Sequence, residues 1–181
     1  RRFMSFYMTR ETKMVPIICF VGWSGSGKTT LMEQVVGELK RKGLRIAVVK
    51  HAHRGFDIDR PGKDSCRYRA AGADIVIVAS QTQLVTIQRT EEAVDLDSVA
   101  VMMNGKVDLV LVEGFKHSSQ PKIEVNLSSN NPEISCSTSE LLAVVSDRPL
   151  NVDIPQFRFN DKDDLVSFVL EQSKVALGGR S

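Results

Sequence analysis

Residues Gly22-Trp23-Ser24-Gly25-Ser26-Gly27-Lys28-Thr29 read glycine, four residues, glycine, lysine, threonine, and this pattern constrains the chain more than any other stretch in it. Such a segment is a phosphate-binding loop. Its glycines let successive backbone amides turn inward on an anion, Lys28 supplies a point charge for the outer phosphates, and the Thr29 hydroxyl can ligate magnesium. The loop needs a buried strand before it and a helix N-terminus beneath the anion. Both are present. Apolar Ile17–Val21 precedes it; Leu31, Val35, Val36 and Leu39 follow at helical spacing, up to Lys40-Arg41-Lys42-Gly43, where positive charge and glycine suit a helix end.

The rest of the chain alternates strand-length apolar runs with helical patterns, which predicts an α/β protein with a mostly parallel central sheet and helices on both faces. Strands are expected at residues 46–49, 74–79, Leu84–Gln88, 107–112, around Ile123, Val125 and Leu127, and at Leu141–Val145. Helices are expected at residues 63–71, at 91–103, and after a cap at Asn160. Residues 80–83 are too few for a crossover helix, so the strands on either side are expected to pair as an antiparallel hairpin and to make the sheet mixed. The alternation of Ile123, Val125 and Leu127 with polar neighbours reads as a half-exposed strand. Residues 128–140, rich in Ser, Asn, Thr and Pro, read as a mobile surface loop.

One nucleotide-binding domain over residues 15–173 accounts for all of this, with residues 1–14 a disordered or appended extension and 174–181 a flexible tail. The apolar run at 15–21 is too short to cross a bilayer and leads into the glycine loop instead of a small-residue cleavage site, so no membrane span or secretory leader is expected there. Three widely spaced cysteines, Cys19, Cys66 and Cys136, suit a reducing, cytoplasmic setting. With 24 basic against 22 acidic side chains, net charge offers no argument for nucleic acid.

A phosphate loop needs a carboxylate at the end of a neighbouring strand to hold magnesium or its waters. Asp108 begins the strand at 107–112 and would lie about 16 Å from its C-terminal edge at about 3.3 Å per residue. Glu113, at that edge, is the expected metal-side acid; the alternative is a loop carboxylate paired with Lys116 or Lys122. The segment after the second strand carries His51 and His53 with Asp57 and Asp59. It reads as a switch-like loop in which Asp57 or Asp59 reaches a magnesium-bound water, or as a zinc site built on the histidines. Ser146-Asp147 follows a buried strand, where a carboxylate can accept the N1 and N2 donors of guanine; it reads equally as the start of a turn before Arg148-Pro149.

Taken together, the phosphate loop, Lys50-His51 with His53, Asp59-Arg60-Pro61-Gly62-Lys63-Asp64-Ser65 with Arg67, Ala71-Gly72-Ala73, and Glu113-Gly114-Phe115-Lys116 followed by Pro121-Lys122 resemble the molybdopterin-guanine dinucleotide biosynthesis protein B family over most of residues 15–172. The resemblance implies a P-loop NTPase fold, a homodimer, GTP with magnesium, and weak GTP hydrolysis. It also implies a partner, the guanylyltransferase that joins GMP to molybdopterin, which the family assists as an adaptor. Carried over, Gly22 through Thr29 and Thr30 hold phosphates, Thr29 and Glu113 serve magnesium, and Asp147 is the candidate for guanine. Lys63 and Arg67, with Asp64, suit a further anion such as the pterin phosphate. Hydrolysis is in-line attack of water on the terminal phosphorus, with Lys28 and the metal held by Thr29 stabilising the transition state.

Two other classes compete. A small-molecule kinase would need an arginine-bearing lid, for which Arg67, Arg69 and Arg89 are the available groups; a nucleotide-gated metallochaperone would use the His51/His53 pair. Phosphate transfer from ATP to an alcohol marks the first, and metal in protein purified without added zinc marks the second.

Overall fold

A computed structural model describes residues 14–52, 55, 59, 61–127 and 133–178. Residues 1–13 of the expected 1–14 extension and the last three residues lie outside them. Its contacts fall into two compact units: one takes the chain through His51 and again from Leu96 onward, the other is Ala52–Asp95.

The first unit is built on six parallel strands in the order β2-β5-β1-β6-β7-β8, namely β1 Ile17–Val21, β2 Ile46–Lys50, β5 Leu109–Glu113, β6 Lys122–Val125, β7 Leu141–Val145 and β8 Gln156–Phe157. β1 is buried at every position, as a central strand covered on both faces must be. On one face lie α1, Lys28–Arg41, and α4, Lys162–Gly178. Leu31, Val35 and Leu39 of α1 recur every four residues and pack with Leu165, Val166 and Val169 of α4 over Ile18, Phe20, Leu109 and Leu111. On the other face α3, Leu96–Met103, brings Leu96, Val99 and Ala100 onto Ile17, Cys19, Val110 and Val112.

Chain order places the functional edge. From β1 the chain passes through α1 to β2 at the sheet's margin, leaving a slot that β5 later fills; from β5 it crosses to the opposite side of β1 as β6. The loops leaving β1 and β5 therefore diverge, which is where open α/β sheets bind ligands, at the C-terminal ends of the strands. α1 closes with Lys40 and Arg41 in its last turn, and Gly43 takes φ 84°, the left-handed conformation that ends helices.

The second unit holds α2, Asp64–Ala70, and the antiparallel pair β3, Ile75–Ala79, with β4, Leu84–Gln88. The hairpin pairs as expected but forms its own two-stranded sheet, so the six-stranded sheet is entirely parallel and not mixed. Its 80–83 turn is closed by the Ser80 amide on the Gln83 carbonyl.

Three further expectations are corrected. α3 starts at Leu96 instead of residue 91, because Leu96, Val99 and Ala100 are what the sheet buries. α4 starts at Lys162, so Asn160 stands too early to cap it and Asp161 precedes the first turn, accepting the Arg158 amide on Oδ2. The β6 strand is not half-exposed: Lys122, Glu124 and Asn126 are all buried.

Candidate functional site

β1 ends at Val21 and the chain turns at once through Gly22, φ 143°. A Cβ there would lie 2.4 Å from the Val125 carbonyl oxygen and 2.8 Å from Ser26 Oγ, so only glycine lets the loop start this close to β6. The loop closes on itself through the Ser26 amide and the Trp23 carbonyl, and is tied to the end of β6 by the Leu127 amide on the Ser26 carbonyl. Gly27, φ 91°, is the N-cap of α1; it offers no side-chain cap, and no acidic residue occupies the first turn. The first amides of a 14-residue helix are thus left without a side-chain acceptor, and the macrodipole adds positive potential at that point.

Lys28 folds back over this loop. Its ammonium donates to the Gly22 carbonyl at 2.9 Å and the Trp23 carbonyl at 2.6 Å. Burial pulls its pKa below the ordinary lysine value, and the charge of Glu113 opposes that shift. Next to it, Thr29 Oγ1 donates to both oxygens of Glu113, each at 3.1 Å. Glu113 ends β5 beside Phe20 of β1, at the sheet's C-terminal edge. Asp108 lies at the other end of that strand, where the Arg45 amide and guanidinium hold it at 2.7 Å and its pKa sits below the usual carboxylate range through those hydrogen bonds.

The model of the MobB family, "Molybdopterin guanine dinucleotide synthesis protein B", matches residues 17–147, from β1 to the turn after β7. The chain belongs to the MobB family. It is 42% identical over 163 residues to the molybdopterin-guanine dinucleotide biosynthesis adapter protein of Escherichia coli K12, covering 87% of this chain and 93% of that one. The Haemophilus influenzae adapter protein is 34% identical over 92% of this chain and 94% of its own length. A crystal structure of molybdopterin-guanine biosynthesis protein B superposes with a TM-score of 0.72 at 32% identity, covering 86% of this chain and 99% of that one. Bacillus subtilis MobB gives 0.71 at 28%, covering 87% and 97%. The fold is the P-loop NTPase fold of these MobB proteins, and the chain's setting is molybdopterin guanine dinucleotide biosynthesis.

In this MobB chain the residues present fit a triphosphate with magnesium. The glycine cradle, the uncapped helix start and Lys28 suit the phosphates; Thr29 and Glu113 are hard oxygen donors side by side, as magnesium takes when phosphates and water fill its other positions. Among the described residues no three His, Cys, Asp or Glu side chains gather as a metal cluster. Neither Lys116 nor Lys122 pairs with Glu113: the Lys116 ammonium stands 5.3 Å above the Trp23 ring, and buried Lys122 faces Glu140 at 3.4 Å. Lys50 takes that place, 3.3 Å from each Glu113 oxygen.

The other sequence candidates separate. His51 lays its ring on Phe115, centroids 4.4 Å apart, and its amide bonds the Glu113 carbonyl; His53 and Asp57 lie outside the described residues. Asp59 accepts the Ser65 hydroxyl at 2.9 Å within the second unit. Lys63 is exposed there ahead of α2, and Arg67 pairs with Asp64 at 3.4 Å on the helix surface. Asp147 caps the Phe159 amide with Oδ1 at 3.0 Å, and the Ser146 hydroxyl takes the Arg148 amide, the turn geometry that was one of its two readings.

Sequence reasoning missed the polar wall of the loop. Glu124, fully buried on β6, receives the Ser135 amide at 2.9 Å and its hydroxyl at 2.7 Å, and burial raises its pKa. Trp23 Nε1 and Asn126 Nδ2 both donate to the Glu133 carbonyl at 3.1 Å, and Arg148 Nη2 donates to Asn126 Oδ1 at 3.0 Å. The 133–140 segment, expected as a surface loop, is thereby tied down beside the phosphate loop; residues 128–132 lie outside the described part. The available signal was the polar alternation Lys122, Glu124, Asn126 on a strand whose apolar alternates are core.

Proposed function

We propose that this chain binds GTP with magnesium in the Gly22–Thr30 loop, hydrolyses it slowly, and serves as a cytoplasmic adaptor to the guanylyltransferase that completes molybdopterin guanine dinucleotide. The observation that carries the reading is the convergence of Lys28, the free N-terminus of α1 and the Thr29–Glu113 pair at one strand edge. Relatives that bear the adapter name over nearly their whole length support the pathway assignment.

Magnesium, held by Thr29 and Glu113, would supply a divalent counter-charge to the outer phosphates. The chain's own part is to exchange Lys28's contacts with the loop carbonyls for contacts with phosphate oxygens, to orient the anion over the α1 amides, and to fix Glu113 through the Thr29 hydroxyl. Glu113 is engaged by the Thr29 hydroxyl and is the acid assigned to the metal, so this carboxylate is not free to activate water, in keeping with slow turnover. Asp147 remains the candidate for guanine through Oδ2, since Oδ1 is taken by the Phe159 amide. Asp57 and Asp59 as metal-side acids, and Lys63 with Arg67 as a seat for the pterin phosphate, belong to the same proposal.

The adaptor works as a homodimer in this reading. The β3–β4 hairpin leaves Ile75, Ile77, Val78, Leu84 and Val85 exposed. Ile77 and Val78 are successive and so point to opposite faces, and a two-stranded ribbon that exposes apolar residues on both faces needs cover.

Calorimetric titration with GTP, ATP and their diphosphates, with and without magnesium, tests the nucleotide assignment; tighter binding of GTP than ATP is expected. ATP preference together with phosphate transfer to an added alcohol would replace it with the kinase.

A further inference from the structure

Lys50 has no part in the phosphate-loop motif. It ends β2, and its partner across the parallel ladder is Glu113, whose own partner on the other side is Phe20 of β1. Residues on one rung share a face, and Phe20 lies in the core beneath α1 and α4, so the pleat carries Glu113 and Lys50 toward the side on which α1 begins. The Lys50 ammonium therefore reaches both Glu113 oxygens, 3.3 Å each, while the same two atoms take the Thr29 hydroxyl.

Three observations set this contact apart from a settled ion pair. At 3.3 Å it is longer than a tight charge-assisted bond, about 2.7–2.9 Å, and the Lys50 side chain is 64% exposed, so the ammonium can leave the carboxylate at small cost. The group is borne on a sheet strand, one rung across from the strand that carries the proposed metal acid. Lys28 folds over the same loop, so two cations stand at an edge where, among the described residues, Glu113 is the carboxylate that Lys50 and Thr29 reach and Glu124 is taken by Ser135. Such a surplus suits a ligand with more negative charge than one lysine and a helix end neutralise.

We propose that Lys50 is a second phosphate-binding cation, which passes from Glu113 to the terminal phosphate when a nucleoside triphosphate fills the loop, and that it makes the site favour triphosphate over diphosphate. The transfer leaves Glu113 to Thr29 and the metal. This rests on the reading of the loop as a nucleotide site.

Lys50→Met keeps the stem and removes the charge from an exposed position, and an unchanged melting temperature checks that the fold is kept. Titrated with GTP and with GDP in magnesium, the variant should lose about tenfold or more in GTP affinity and less than about threefold for GDP. Lys50→Arg should keep most of the preference. An equal loss for both nucleotides, or undiminished GTP binding, overturns the role of Lys50 and leaves the nucleotide site standing. Wild-type protein that binds neither nucleotide overturns both.

Discussion

At the residue scale the site depends on a few charges whose partners can be removed singly. Lys28→Ala should weaken GTP binding about 100-fold by calorimetry, since it deletes charge-assisted hydrogen bonds each worth about 1.5–3 kcal/mol, while the melting temperature stays close to wild type. Glu124 adds a pH dependence of definite sign. Burial holds its folded pKa above the ordinary 4.5, so the native state keeps a proton that the unfolded chain releases, and its contribution to stability falls as pH rises from about 4.5 through the raised value. Denaturant midpoints measured across that window should decline for wild type relative to Glu124→Gln; parallel profiles would contradict the burial argument. That Gly22, Lys28 and Thr29 share one turn between a buried strand and a helix was legible in the sequence, because a local motif dictates that placement. The placement of Lys50 beside Glu113 and of Glu124 against Ser135 was not, because it arises from strand order and from a chain segment returning over β6, neither of which is encoded in local spacing.

The strands Ile17–Val21, Leu84–Gln88 and Leu141–Val145 match their expected bounds to the residue, because a run of apolar or β-branched residues between polar turns leaves little freedom in register. β8 escaped notice: two residues at a sheet edge have no periodicity to read. The hairpin pairing was legible from the four-residue gap, but its detachment from the main sheet was not, since pairing partners across long connections are set by tertiary packing. The tightest element-scale constraint is the turn from β1 into the loop. Gly22→Ala would drive a methyl group against the Val125 backbone at a positive φ, and should cost about 2 kcal/mol or more in chemical denaturation as well as phosphate binding. Gly27→Ala meets the Leu127 side chain at 2.9 Å, which can move, so its stability cost should be the smaller of the two.

For the molecule as a whole, the exposed apolar ribbon of the second unit is the proposed seat of self-association. Ile77→Asp combined with Leu84→Asp should convert a dimer to a monomer in sedimentation equilibrium and leave GTP affinity within about threefold, because neither residue belongs to the phosphate loop. A dimer that persists in this variant would move the interface elsewhere. The edge of β1 and β5 is proposed to hold a triphosphate and a metal together, and the deciding measurement titrates GTP into wild type and Glu113→Gln, each with magnesium and with chelator. Wild type should bind about tenfold or more tightly with magnesium than without, and Glu113→Gln should lose most of that gain while keeping its metal-free affinity. An equal gain from magnesium in both proteins, or none in either, would rule out Glu113 as the metal-side acid of this site.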